Sequence, residues 1–550
     1  MAPQRHVPKA GALVGAAVAA LLAFPGVANA AVSKEVAGGV LTVKSDADDP
    51  INIACVSGNV QVNGEGFTPD APCNTINSIV VQGGPGANVI SLTGVTTADF
   101  PNLTSVTIDG GDGNDTITGS DRADVIEGGA GHDRIIGDNN PNGTFDDSRG
   151  GTGDDTLVWN PGDGSDINVG GDGTDTIEVN GGGGNEKFSA NPAAAGGGVR
   201  FERSADSAGG FFSLDITTAE RLDMNANNGD DSFTSEGAIA ALGFALDVDG
   251  GGGNDTLDGG DGPDTLDGGE GNDGITGDDN PDGTEDVSRG GPGDDTMIWN
   301  PGDDSDLNEG GDGNDTSVVN GATGDEKFEV KPSATAGRVD LERVDPAPFS
   351  VDIGTTENLL VNGGEGNDRI RGAAGLAGLI KSTFNGDDGN DAIRGTDGED
   401  ALGGGKGHDI INSVDKAADA VECGNGFDLA LVDRRDTIRA CELAFGGRLR
   451  VLMPGKPKLD GDAVALKLHC IANQRCESKV VLRHDGHRIG KKLVRIGDGK
   501  QKTVRVKLNR RGLRALAGDT DGALKIKVRV DTKDKKGNGW RVAERATLKH

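Results

Sequence analysis

The residues best placed to do chemistry are Asp255, Asp264 and Asp273, nine apart in three abutting blocks, GGGGNDTLD, GGDGPDTLD and GGEGNDGIT. Glycines stand at the first, second and fourth places of each block: Gly250, Gly251 and Gly253; Gly259, Gly260 and Gly262; Gly268, Gly269 and Gly271. Glycine tolerates positive φ and close backbone approach, so six such residues can curl with their carbonyls turned inward. The sixth-place Asp adds an anionic oxygen to that curl. Carbonyl and carboxylate oxygens without His or Cys suit Ca²⁺ and suit Zn²⁺ poorly.

The elements that position these oxygens are short. Each block ends in a polar-aliphatic-polar triplet with Leu257, Leu266 or Ile275 at the eighth place. That is one very short strand turning one side chain inward. A nine-residue unit is too short for a helical repeat and buries almost nothing alone, so stacking is obligatory. The recurring places resemble GGxGxDxUx, the nonapeptide of the repeats-in-toxin (hemolysin-type) family. The resemblance implies an all-β fold: a right-handed parallel β-roll or β-helix solenoid with Ca²⁺ rows between turns on each side.

The pattern begins at Gly110, Gly111 and Gly113, with sixth-place Asp115, Asp124 and Asp133; Arg122 replaces the fourth-place glycine of the middle block and weakens it. Further sixth-place acids are Asp155, Asp166 and Asp175, then Asp295, Asp306 and Asp315, then Asp368, Asp391, Asp400 and Asp409. Glu186 and Glu326 hold the same place and are expected to coordinate weakly at most. Gly83 to Ser91 keeps the frame with Asn88 in place of Asp, which suits a capping turn with weak or no metal binding. His132 and His408, at the variable fifth place, read as exposed fillers.

A longer duplication lies above the nonapeptides. Trp159, Arg149 and Lys187 recur as Trp299, Arg289 and Lys327. Each copy carries a loop, DNNPNGTFDDSR or DDNPDGTEDVSR. Its opening matches the first half of the twelve-residue calcium loop of helix-loop-helix proteins, but the closing Glu is missing. Two readings stand: a separate Ca²⁺ loop using Asp138, Asn140 and Asn142 with Asp146, and Asp278, Asn280 and Asp282 with Asp286; or an Asx-rich turn. Later in each copy, alternating segments such as Val199 to Glu202 and Val339 to Leu341 predict strands that continue the solenoid without ions or bulge into hairpins. Trp159 and Trp299 are expected to cover the core edge.

The expected division is 1–30 signal peptide, 31–107 capping strands, 108–249 and 250–385 the two roll copies, 386–445 a third run with a disulfide-stapled cap, 446–462 linker and 463–550 a basic β-sandwich. The signal rests on Arg5, His6 and Lys9, an apolar stretch to Phe24 and Ala28-Asn29-Ala30. No later stretch is long and apolar enough to span a membrane. Six cysteines fall in three local pairs, Cys55 with Cys73, Cys423 with Cys441 and Cys470 with Cys476. Proximity suggests these disulfides among the alternatives, as fits an exported chain.

Charge divides the chain. It totals −36, yet from Gly447 to His550 there are 28 Lys/Arg against 10 Asp/Glu. The chain has 94 glycines and no Tyr, and its acidic body suits a thin solenoid that needs divalent cations to offset its self-repulsion. The basic tail has strictly alternating strands and loosely resembles immunoglobulin-like tails of exported bacterial proteins. It suits an anionic cell-envelope polymer or polysaccharide, the acidic solenoid, or simply solvent. Nucleic acid is disfavoured, because Trp540 is the tail's single aromatic residue. H-E-x-x-H and G-x-S-x-G are absent, so a non-enzymatic calcium-binding structural or adhesive module is expected. The alternative is a polysaccharide-acting β-helix enzyme with paired acids in a groove.

Overall fold

The computed structural model describes residues 32–549 except 140–143, 195–196, 206, 208, 236–238, 240–241, 279–283, 434, 442, 447–456, 470–475, 497–499, 518–522 and 534–538. The signal segment therefore lies outside the described residues, as do Cys470 and the side chain of Cys476.

Two long sheets face each other, and the chain winds from one to the other. The first stacks Val40–Lys44, Ser78–Gln82, Ser105–Asp112, Asp124–Ala130, Asp147–Thr152 and Asp166–Asp172 in parallel. The second stacks Ile51–Val56, Val89–Gly94, Thr116–Thr118, Arg134–Ile136, Thr156–Trp159 and Thr176–Asn180. Thr116 pairs with Arg134 and Ile117 with Ile135, so one coil of the nonapeptide region is 18 residues, or two nonapeptides. This is the expected β-roll. The eighth-place residues Ile117, Ile126, Ile135, Leu257, Leu266 and Ile275 are all buried, one per strand, between the sheets.

Open edges of parallel sheets invite pairing with other chains. Both starting edges are covered here by antiparallel partners. Ser33–Ala37 folds back on Val40–Lys44, and Asn59–Val62 on Ile51–Val56. Cys55–Cys73 ties the second of these down, and Cys423–Cys441 staples the last coils as expected.

The ion-poor part of each copy bulges into hairpins, and these hairpins stay within the sheets. In the first copy Lys187–Pro192, Gly198–Arg203 and Phe212–Thr217 form an antiparallel trio whose outer members pair in parallel with neighbouring coils of the first sheet. In the second copy Lys327–Pro332, Val339–Asp345 and Phe349–Gly354 do the same in the second sheet. The duplication contains an odd number of half-coils, so equivalent residues of the two copies face opposite ways.

After residue 456 two antiparallel sheets of three and four strands share one apolar core that includes Val464, Leu466, Val480, Ile489 and Val528. A helix, Arg510–Ala517, follows the last strand of the smaller sheet and was not anticipated from the sequence. Its Gly512 packs on Ile489 and Leu508.

Candidate metal centre

The chain crosses between sheets at two flanks. On one flank, turns carry it from the first sheet to the second and place Asp115, Asp133, Asp155 and Asp175 in a column. The same flank carries Asp368, Asp391 and Asp409. On the other flank, turns from the second sheet to the first align Asp255, Asp273, Asp295 and Asp315. The best-formed acidic column therefore changes flank at each copy, while shorter ladders run along the other flank, Asp124 to Asp146 to Asp166 and Asp264 to Asp286.

Within a column the contacts repeat. The amide of Asp115 donates to Asp133 Oδ1 at 2.7 Å, that of Asp133 to Asp155 at 2.7 Å and that of Asp155 to Asp175 at 2.8 Å. Asp255, Asp273, Asp295 and Asp315 repeat the ladder at 2.8 to 2.9 Å. Asp368, Asp391 and Asp409 continue it. One carboxylate oxygen of each is thus fixed. The other, Oδ2, is shielded from solvent and has no hydrogen-bond partner in Asp115, Asp133, Asp155, Asp175, Asp255, Asp264, Asp273, Asp295, Asp315, Asp368, Asp391 and Asp409. An orphaned, buried carboxylate oxygen is costly, and here it recurs at nearly every coil.

The glycines show where those oxygens point. A Cβ on Gly268 would lie 2.4 Å from Asp273 Oδ2; one on Gly110 would lie 2.5 Å from Asp115 Oδ2 and 2.4 Å from the Gly128 carbonyl. First-place glycine thus leaves a cradle lined by a carboxylate and a carbonyl of the next coil. Fourth-place glycine has a different reason. Gly271 has φ +147°, and a Cβ there would fall 1.3 Å from the Gly253 carbonyl, so coils stack only without side chains.

Burial sets the electrostatics. It raises Asp273 to about 7, against the amide of Asp255, with the carboxylates of Asp255 and Asp295 adding to the rise. Burial likewise lifts Asp391 to about 7 and Asp115 to about 6, with neighbouring carboxylates again adding. Like charges one strand spacing apart repel by roughly 3 kcal/mol at an effective dielectric near 20. An all-oxygen, anionic, glycine-cradled column fits a hard divalent cation.

Four stretches, residues 109–142, 249–283, 360–375 and 382–411, match the family model of the RTX calcium-binding nonapeptide repeat. These are RTX calcium-binding repeats. RTX nonapeptide repeats bind Ca²⁺. No curated protein matches the chain. The RTX match omits Asp155, Asp175, Asp295 and Asp315, although each continues a column that starts inside a matched stretch. It does not reach the basic tail, so the immunoglobulin-like resemblance gains nothing from it.

Several expected positions behave differently from the RTX column. Asp124 has both oxygens engaged, by the amide and hydroxyl of Ser120 at 2.5 and 2.9 Å. Asp166 and Asp306 are buried on the flank opposite their copy's main column; burial lifts Asp166 to about 7 and Asp306 to about 9. Asp138 and Asp278 both adopt positive φ, +71° and +70°. Asn140, Asn142, Asn280 and Asp282 lie outside the described residues. Asn88 caps the first column as expected: its Nδ2 donates to the Ala47 carbonyl at 2.8 Å. His132 and His408 are exposed, each accepting an amide of the next coil through Nδ1.

Glu186 and Glu326 need no ion. Arg203 donates to Glu186 Oε1 at 2.5 Å, and Arg343 to Glu326 Oε1 at 2.9 Å. The Glu side chains are 1% exposed and the Arg side chains 5% and 11%. Each guanidinium also lies over a stacked aromatic pair, Trp159 with Phe212 or Trp299 with Phe349. The tryptophans are buried, as expected, with their indole N–H on the Gly164 and Asp304 carbonyls.

Two features escaped the sequence reading. Asp231 is buried in the column between Glu186 and Asp255, with Oδ2 unpartnered. It lacks the paired glycines, but Phe233 two residues on keeps the inward place. The fifth place also forms an outer ladder: Asn272 donates to Asn254, Asp294 to Asn272 and Asn314 to Asp294.

Proposed function

We propose that the protein is an exported structural or adhesive module whose β-roll becomes ordered on binding extracellular calcium. The observation that carries this reading is the column of buried, unpartnered Oδ2 atoms facing glycine cradles. Asp115, Asp133, Asp155 and Asp175, Asp255, Asp273, Asp295 and Asp315, and Asp368, Asp391 and Asp409 are the residues that would hold ions, with first-place glycines leaving room. A bound calcium supplies positive charge that offsets the stacked carboxylates and gives their free oxygens a partner. Extracellular modules of this kind work at roughly 10⁻⁴ to 10⁻³ M Ca²⁺. Binding and ordering are then one process.

Export is supported by the leader-like residues 1–30 and by two disulfides. Among the described residues no helix is long and apolar enough to cross a membrane. The basic tail fits an anionic envelope polymer or polysaccharide by charge. A circular-dichroism titration with Ca²⁺, reversed by chelator, tests the calcium reading. A spectrum and melting curve unchanged by excess EGTA would reject it. Binding of residues 457–550 to cell-envelope polymers tests the adhesive part separately, once that piece is shown to fold alone.

A further inference from the structure

The last coils hold a carboxylate cluster that the nonapeptide pattern describes only at Asp400. Asp400 precedes the strand Ala401–Gly403, and Asp419 precedes the next strand on the same flank, Ala420–Glu422. Asp415 lies in the intervening turn, SVDKAAD, which has no glycine and no repeat frame. One oxygen from each of the three carboxylates lies within 4.8 Å of the other two.

Local contacts leave this cluster incomplete. Asp419 Oδ1 accepts the Asp400 amide at 3.0 Å, and Asp415 Oδ1 accepts the Ala417 amide at 2.6 Å. The Oδ2 atoms of both are shielded from solvent and lack a hydrogen-bond partner. Asp419 is 1% exposed and Asp400 4%. Asp400 is oriented by Thr396, whose amide and hydroxyl both donate to it at 2.7 Å. Asp397, Asp433 and Asp436 add to the negative charge on the cluster, while Lys416 lies in the turn and Arg435 donates to its carbonyl at 3.0 Å. Three carboxylates converging from two stacked coils in a partly dry place repel strongly unless a cation is shared between them.

The arrangement has relatives within the chain. The Asp124 amide donates to Asp146 Oδ1, and the Asp264 amide to Asp286 Oδ1, each at 2.8 Å, as the Asp400 amide does to Asp419. In each case a turn acid stands near the first of the pair: Asp138, Asp278 or Asp415. The third instance brings three carboxylates together without the Asx-rich loop.

We propose that Asp415, outside the nonapeptide frame, joins Asp400 and Asp419 in a three-carboxylate site for a hard divalent cation of the Ca²⁺ class. Carboxylates alone, without His or Cys, select oxygen-loving ions, and an irregular turn suits calcium's flexible coordination better than magnesium's strict octahedron. The ion ties the 413–419 turn to the coil beneath it, a few residues before the Cys423–Cys441 staple. The site thus closes the end of the roll at a turn, 413–419, that has no glycine of its own. It does not depend on the columns being loaded.

The test is the number of ions bound by the full chain, measured by calorimetry with Ca²⁺ alone and by Tb³⁺ luminescence, for the wild type and D415N/D419N. The expected result is one ion fewer per chain in the variant, with the remaining ions bound as before. Protection of the 413–419 turn from proteolysis by Ca²⁺ should be lost with it. An unchanged ion count overturns this site while leaving the columns intact. A wild type that binds no calcium overturns both readings. If the double variant loads no ion at all, D415N replaces it, since Asn keeps the acceptor for the Ala417 amide. One ion lost then supports the site, and none lost overturns it.

Discussion

Asp273 and Glu186 occupy the same place in the nonapeptide frame and solve the same problem in opposite ways. Asp273 is buried with Oδ1 accepting the Asp255 amide of the preceding coil and Oδ2 unpartnered. Glu186 is as deeply buried, but one oxygen takes Arg203 and the other the Gly182 amide. The extra methylene lets Glu reach a guanidinium delivered by the hairpin, and Trp159 and Phe212 hold that guanidinium in place. The second copy repeats the solution with Glu326, Arg343, Trp299 and Phe349. The comparison separates coils that borrow a cation from solution from coils that carry their own.

The sharpest break of this comparison is calcium removal. In excess EGTA, hydrogen exchange across residues 250–276 should speed up by about 100-fold or more, the sign of lost local stability. Residues 187–194 and 197–205 should retain most of their protection. Equal loss in both regions at one calcium concentration would erase the distinction.

Next in size is the built-in cation. Arg203→Met leaves Glu186 buried without its partner, which costs about 3–5 kcal/mol. Thermal melts with and without calcium should show the same loss, because no calcium is expected at that place. A loss that disappears in saturating calcium would mean that an ion can replace the guanidinium.

A smaller effect is expected for Asp273→Asn, which keeps the ladder acceptor and removes one charge. The calcium midpoint of the circular-dichroism transition should rise by roughly tenfold, equivalent to about 1.4 kcal/mol. Glu186→Gln should leave that midpoint nearly unchanged, although it weakens the Arg203 pair.

The smallest effect is that of pH. Asp273 and Asp391 are raised to about 7 and Asp115 to about 6, chiefly by burial. The ion-free folded state therefore binds more protons than the unfolded chain. In chelator, this contribution to stability is fully present below about pH 4, the ordinary Asp range, and is lost as pH rises through 6 to 7. Melting temperature should thus fall from pH 4 to pH 8 without calcium. In saturating calcium the trend should invert over the same range, because protons and ions compete for the carboxylates. Parallel trends in the two series would argue against shared sites.

Much of the roll was legible in the sequence because one place carries one task. Paired glycines, a sixth-place acid and an eighth-place aliphatic predicted the turn, the cradle and the buried strand residue at Leu257, Leu266 and Ile275. Asn88 stands in the Asp place with its amide group on the Gly84 amide and the Ala47 carbonyl, as a capping turn requires. Asp231 lacks the first two glycines of the block, keeping only fourth-place Gly229 and its phase with Phe233. Asp415 escapes for a stronger reason: its turn has no glycine, and its partner Asp400 comes from another coil.

By itself, then, the sequence determined the nine-residue unit, its oxygen chemistry and the thin aliphatic interior, because these follow from local backbone freedom and strand alternation. The tertiary structure decided which flank each acid reaches. That depends on counting half-coils through an inserted hairpin, and an odd number sends the second copy's column to the opposite side. It also decided that Arg203 meets Glu186 seventeen residues away and that Asp400, Asp415 and Asp419 converge. Those meetings depend on how coils stack, which no single turn encodes.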